Sequence, residues 1–417
     1  MSRFTFTNSL KKITYLPTAS WALYDFANTI FAMNILSLYF VLWVTEDNAG
    51  TQLSFSITLS LSMMAAAITA PLFGTISDIV GKRVLFLGIG ILICAICTSL
   101  IGTVGGVGIG LAFFSLANYA YQSSNIFYDS LLDRVSTSQN RGRISGVGVG
   151  LGYLGTITGI LMVSPFVDRL GREAAFIPTA ILFLFFSVPC LLFVRDKHTG
   201  NKISLRVINH AYLNLYHLCS QISRYKEPFK FIVARFFYLD AINTLIVFMA
   251  VFVSQVLNYS NHQIELLLIF CTTSAIPGSL LYGWISDKIG PKKTLLIILL
   301  QWLIVFSAAT ITQNSSYFWA IGCLAGISLG GTWASDRAFL FKIAPPEQSG
   351  LFFGLYQLVG RFSSVVGPII WGITTDSLID LGSLRFRIAT AILLVPLLLG
   401  ISLLIFVSDK CQYRAPR

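Results

Sequence analysis

The chain has 417 residues, of which 55% are hydrophobic and only 11% charged, and its mean hydropathy is +0.75. Soluble domains carry about 25% charged residues, so this composition excludes a water-soluble globular protein and indicates a membrane protein. The net charge of +11 does not point to nucleic acid, because the basic residues lie in loops between apolar runs, where the positive-inside rule expects them.

In chain order, the start carries Arg3, Lys11 and Lys12. The apolar run that follows is too long for a cleaved signal segment and reads as a spanning helix. Runs of about 20 apolar residues predict spanning helices. Twelve are expected, at 19–44, 54–77, 84–104, 107–132, 144–164, 175–194, 229–256, 263–285, 293–312, 317–341, 350–374 and 387–408. The expected fold class is an all-α membrane protein with twelve transmembrane helices in two six-helix bundles. The bundles are 1–194 and 229–417, with a linker at 195–228.

The first span contains Tyr24, Asp25, Phe26, Ala27, Asn28 and Thr29. A charge inside an apolar span costs about 2.5–3.5 kcal/mol even on lenient insertion scales, so it marks a functional site by default. The pattern Asp-x-x-Asn-Thr returns in the seventh span at Asp240, Asn243 and Thr244, 215 residues later. Gly74 to Arg83, with Ser77, Asp78, Gly81 and Lys82, joins spans 2 and 3. Its echo, Gly283 to Lys293, with Ser286, Asp287, Gly290 and Lys292, joins spans 8 and 9. Ser145, Gly146 and Gly152 in span 5 are echoed by Phe353, Gly354 and Gly360 in span 11. Repeats near half the chain length, each starting on the same side, indicate two parallel copies of a six-helix unit.

Counted with the N-terminus inside, 23 of the 29 Lys and Arg fall on inside segments and 4 on outside segments. This places both termini in the cytoplasm of an inner-membrane protein. In the linker, Leu205, Ile208, Tyr212, Leu215, Cys219 and Ile222 recur at helical spacing, which predicts an amphipathic helix on the membrane surface.

The glycine-rich loops permit tight turns, and their basic residues hold them in the cytoplasm. Their pattern resembles the signature between helices 2 and 3 of the major facilitator superfamily. The resemblance implies a cytoplasmic gate built from Asp78, Gly81, Lys82, Arg83, Asp287, Gly290 and Lys292. Ser20 to Thr29, Ser145 to Gly155, Ala234 to Thr244, Gly330, Gly331, Phe352 to Tyr356, Gly367 and Pro368 resemble one branch of it. That branch includes the fungal vacuolar amino-acid exporter of the autophagy pathway and many bacterial relatives. It usually has Asn at the position of Asp129, and Gln and Ser at those of Trp333 and Asp336. The resemblance implies that spans 4 and 10 line a central cavity.

The candidate substrate and proton-coupling residues are therefore Asp25, Asn28, Asp129, Tyr128, Asp240, Asn243, Trp333, Asp336, Tyr356 and Arg361. Each carboxylate of the repeated motif reads either as a hydrogen-bonded structural group or as a proton carrier. Arg361 must find an anion, either Asp240 or Asp25, or a carboxylate or phosphate on the substrate. Arg235 is shallower and reads as a side chain that snorkels to the interface. The glycines of span 5 at 146, 148, 150, 152, 155 and 159 read as a close-packing surface.

Seven cysteines are present, and those in the spans read as apolar fillers. Cys94 and Cys97 have metal-site spacing without a second pair, so no metal or cofactor is expected. No nucleophile triad or phosphate-cradling loop appears, so no enzymatic activity is expected.

The function expected is secondary transport of a small polar metabolite by alternating access, an amino acid being the first guess, with protons as the coupling ion. The expected partners are the small-molecule substrate and the lipid bilayer, with no nucleic acid, and the expected state is a monomer. The alternatives are an exporter of a larger amphipathic solute, such as a lipid, siderophore or drug, and a non-transporting sensor or scaffold.

Overall fold

The computed structural model describes residues 6–103, 105–136, 141–196, 225–344 and 349–409. The expected amphipathic helix of the linker lies outside them. The described residues form helices joined by short turns. We number them α1 (Phe6–Phe31), α2 (Gln52–Val80), α3 (Arg83–Leu100), α4 (Val107–Val135), α5 (Arg141–Leu170), α6 (Phe176–Phe193) and α7 (Lys226–Leu257). They continue as α8 (Asn261–Ile289), α9 (Pro291–Ile311), α10 (Ser315–Ile343), α11 (Ser349–Phe362), α12 (Val366–Ser377), α13 (Leu384–Ile392) and α14 (Leu394–Ile405). Beyond α1 the chain stays helical to Asp47, with π-helical stretches at Ala32–Leu38 and Trp43–Asp47.

The helices begin and end where local chemistry directs. Ser260 caps α8 by accepting from the Gln263 amide, and the Gln263 side chain returns the bond to the Ser260 amide. This reciprocal pair satisfies two amides that would otherwise have no partner. Gly290, at φ +89°, turns the chain between α8 and α9, and Pro291 opens α9. Gly81, at φ +65°, occupies the matching turn between α2 and α3. A side chain at either position would be strained, which accounts for the glycine in both loops.

Among the described residues, ten helical segments are long and apolar enough to cross a membrane. The two expected spans missing from that set are informative. Span 4, now α4, carries Asn118, Gln122, Ser123, Ser124, Asn125 and Asp129 along its length. Span 11 is interrupted at 363–365 and becomes α11 and α12. Large apolar residues elsewhere point outward, including Ile96, Ile181, Phe185 and Leu192, each more than half exposed. Monomeric soluble proteins rarely expose contiguous apolar surface of this kind, whereas a bilayer covers it.

Contacts group the chain into two units, Met1–Trp43 with Ile68–Leu213, and Val44–Ala67 with Asn214–Arg417. The packing inside them repeats. In the first, α1 packs on α5 and α6, and α3 on α4. In the second, α7 packs on α11 and α14, and α9 on α10. The first half of α2 belongs to the second unit, where Phe55 meets the Phe248 ring edge-on at 5.6 Å.

Candidate functional site

In the first unit the repeated motif lies between α4 and α5. One face of α1 presents Trp21, Tyr24, Asn28 and Phe31, spaced three or four residues apart, so they share a stripe. The facing stripe of α4 presents Tyr121, Asn125 and Tyr128. Trp21 stacks on Tyr128 at 4.6 Å and donates its ring N–H to the Tyr128 carbonyl at 3.1 Å. Tyr24 lies 4.6 Å from Tyr128, and Phe31 lies 4.6 Å from Tyr121. The Tyr121 hydroxyl donates to the Asn28 carbonyl at 3.4 Å and adjoins the Asn125 side chain. Asp25 sits beside Tyr128, while Asp129 is exposed on α4. The structure thus brings Asp25, Asn28 and Tyr128 together and adds Trp21, Tyr24, Tyr121 and Asn125.

The other side of the motif faces the glycines of α5. Thr29 donates to the Gly152 carbonyl at 2.6 Å. A Cβ at Gly148 would lie 2.7 Å from Asp25 Oδ2, and one at Gly155 would lie 2.2 Å from the Phe26 carbonyl oxygen. The absence of side chains there lets the two helix backbones touch. Gly146 and Gly150 face open space.

In the second unit the same motif holds the break in span 11. Asp240 lies near the middle of α7 and is 2% exposed. Its Oδ1 accepts from the Gly367 amide at 2.7 Å, in the first turn of α12. A helix start leaves amides without intrahelical partners, and a carboxylate there both caps them and meets the positive end of the helix dipole. Asn243 donates to Ser364 Oγ at 3.0 Å, and Ser60 on α2 donates to the Val365 carbonyl at 2.8 Å. Side chains from α7 and α2 thereby satisfy the interrupted backbone. The partner of Asp240 is this amide and not Arg361, which corrects one of the two pairings open from the sequence. Arg361 and Trp333 are both half-buried. Replacing Asp240 by alanine would remove the cap and is expected to lower stability by about 1 kcal/mol, measured as a shift in unfolding midpoint.

A second buried group lies one turn before Asp240. Arg235 is 2% exposed, and its Nε donates to Asp336 Oδ2 at 2.7 Å. Its Nη1 donates to the Tyr356 carbonyl at 2.7 Å, and its guanidinium lies 3.4 Å from the centre of the Tyr356 ring. The hydroxyls of Tyr356 and Tyr238 both donate to Asp336. Arg235 therefore does not snorkel. A carboxylate with three donors holds it inside the protein, where an unpaired guanidinium could not stay. Gly360 makes room, since a Cβ there would lie 3.1 Å from Arg235 Nη1.

At the glycine loops, Arg83 donates to the Ser130 carbonyl at 2.7 Å. The Asp196 carboxylate accepts from the Val84 amide at 3.1 and 3.2 Å and caps α3. Lys292 donates to the Ile405 carbonyl at 2.9 Å. Lys82 and Asp287 are exposed. The Asp78 side chain lies outside those described.

Sequence comparison matches residues 38–412 to a family described as "Vacuole effluxer Atg22 like". The chain belongs to this family. It is 26% identical to the uncharacterized MFS-type transporter YxiO of Bacillus subtilis, over 94% of each chain. It is 24% identical to autophagy-related protein 22 of Vanderwaltozyma polyspora, over 92% of this chain and 78% of that one. Among solved structures, a mutant form of the nucleoside transporter NupG matches with a TM-score of 0.74 at 14% identity, over 93% of this chain and 99% of that one. A bacterial homologue of the human lysosomal transporter Spinster matches with a TM-score of 0.72 at 12% identity, over 95% and 96%. The fold is that of the major facilitator transporters, and this Atg22-like chain is a multi-pass membrane transporter of that type, not an enzyme.

The sequence reading does not single out Arg235, Tyr238, Tyr24 or Asn125 as candidate site residues, though it places Tyr121 among the aromatics that could line a cavity. For Arg235, Tyr238 and Asn125 a signal is present. Arg235 and Tyr238 are three residues apart and share a helix face, and Tyr121, Asn125 and Tyr128 follow the i, i+4, i+7 spacing.

Proposed function

We propose that the protein carries a small zwitterionic metabolite, an amino acid being the first candidate, by alternating access, and that proton binding at Asp240 or Asp25 drives the cycle. Asp240 carries the coupling part of this reading. Its carboxylate caps a half-helix within a spanning segment. Protonation removes the charge that favours the helix start, so the break in span 11 is tied to the proton. The family description supports efflux, and the resemblance to the branch that includes the vacuolar amino-acid exporter motivates the substrate class.

The other assignments complete the proposal. Asn28 and Asn243 hydrogen-bond the solute, and Arg361 grips its carboxylate. Tyr128, Asp129, Trp333, Asp336 and Tyr356 line or support the path. The two glycine loops gate it at the cytoplasmic side, with Asp78 and Asp287 as latches. Both termini are cytoplasmic, and the working unit in the inner membrane is the monomer.

The test is uptake of labelled leucine into proteoliposomes with and without an imposed pH gradient. The gradient is expected to accelerate uptake. Asp240→Asn keeps an acceptor for the Gly367 amide but cannot release a proton, so it should abolish the gradient dependence and leave exchange of internal for external leucine intact. Equal uptake under both conditions would remove the coupling.

A further inference from the structure

The stripe between α1 and α4 holds polar atoms that no intramolecular bond accounts for. Asn28 Oδ1, Asn125 Oδ1 and the Tyr24 hydroxyl are buried and have no hydrogen-bond partner among the described residues. Tyr121 links the two residues, bonding to the Asn28 backbone carbonyl and adjoining the Asn125 side chain. Buried polar groups are nearly always paired, so orphaned ones gathered at one place call for an explanation. Both orphaned amide atoms are acceptors. The surrounding groups have the same character. The rings of Trp21, Tyr24, Phe31, Tyr121 and Tyr128 present negative π-faces, and the Asp25 carboxylate adjoins Tyr128 and Tyr24.

We propose that this cluster in the first unit is the subsite for the ammonium group of the transported solute. The inference rests on the transport reading above and adds which part of the solute is recognised and where. An ammonium brings three donors and no acceptor, so it suits unpartnered acceptors such as Asn28 Oδ1 and Asn125 Oδ1. Aromatic faces attract it further. A carboxylate entering the same place is opposed by the Asp25 carboxylate and by the negative ring faces, with only the amide NH2 groups and the Tyr24 hydroxyl to donate to it. Asn28 and Asn125 are half-buried, and Tyr24, which is fully buried, lies beside Cys94 and Cys190.

The test uses the full chain in nanodiscs and its thermal unfolding midpoint. Isopentylamine and 2-phenylethylamine are titrated beside 4-methylpentanoate and 3-phenylpropanoate, with leucine and phenylalanine as the zwitterions. The amine or the amino acid of at least one series is expected to raise the midpoint, and the matched carboxylate is expected not to. Asn28→Leu and Asn125→Leu should each weaken amine binding about tenfold or more, the scale of a lost bond to a charged donor. Asn28→Leu should also raise the midpoint of the ligand-free protein, because it removes an unsatisfied buried acceptor, whereas Asn125→Leu also removes the bond to Tyr121. That pairing of effects separates a ligand subsite from a structural role, which would lower the midpoint. If a leucine variant fails to fold, Tyr24→Phe keeps the ring packing and should weaken binding about threefold.

Carboxylates binding as well as amines, no response to any amine or amino acid, or amine binding unchanged in both leucine variants would each overturn the proposal. Binding in nanodiscs does not require transport. Amine binding without flux in proteoliposomes would leave the subsite standing and remove the transport of that solute. Flux of an amine-free solute by a protein that binds no amine would do the reverse.

Discussion

Asp336→Ala is expected to lower stability by about 3–5 kcal/mol, the usual cost of leaving one member of a buried ion pair without its partner. The carboxylate accepts from Arg235 and from the hydroxyls of Tyr238 and Tyr356, and its side chain is fully buried. Removing it leaves a guanidinium and two hydroxyls in a low-dielectric interior with no acceptor of comparable strength. Replacing the pair together, Arg235→Met with Asp336→Leu, should recover much of the loss, because neither charge then remains. The two hydroxyls would still lose the carboxylate they donate to, at about 1–3 kcal/mol each. Adding Tyr238→Phe and Tyr356→Phe should therefore recover more. The measurement is the unfolding midpoint of each variant in one detergent. An Asp336→Ala protein within about 1 kcal/mol of the parent, well below the cost of an orphaned buried charge, would show that water or another side chain reaches the site. It would also remove the reason for regarding Arg235 as locked.

The contrast between what the sequence shows and what it hides has a physical origin. Spanning helices are legible because each must bury about 20 residues in hydrocarbon, and only a continuous apolar run does so. The repeats at Asp25 and Asp240 and the two glycine loops are legible because they recur near half the chain length. Pairing is a different matter. Arg235 and Asp336 lie 101 residues apart, and no local pattern states that α7 and α10 bring them together. The same motif also serves two surroundings. Thr29 lies on a helix backbone stripped of side chains, whereas Asp240 caps a helix that begins again after a break. In the sequence, Ser363 and Ser364 are two small polar residues in an apolar run. The stronger hint of the break is Gly367 with Pro368, since proline fits the first turn of a helix and is costly inside one.

The glycines of α5 supply a prediction in which the sign of the effect changes within one helix. Gly155→Ala is expected to destabilise the protein by about 3 kcal/mol, the upper part of the usual range for overpacking. The new Cβ would lie 2.2 Å from the Phe26 carbonyl oxygen, 2.6 Å from Thr29 Oγ1 and 2.8 Å from the Phe26 carbonyl carbon. Two of those atoms are backbone, so no rotamer change relieves the clash. The α1 and α5 axes must separate, and the Thr29 bond to Gly152 stretches with them. Gly155→Leu should yield no folded protein. Gly146→Ala and Gly150→Ala add a methyl group where nothing lies within 4 Å. There only the intrinsic preference of helices for alanine acts, which should stabilise by about 0.5–1 kcal/mol. Gly326 on α10 repeats the first situation in the second unit, its Cβ falling 2.0 Å from the Cys271 carbonyl oxygen on α8. Unfolding midpoints of the four alanine variants test the account. Equal effects at 150 and 155 would mean that α5 does not pack on α1 in this register. The close approach of the two backbones, and with it the placing of Asp25 and Asn28 against α4, would then have to be redrawn.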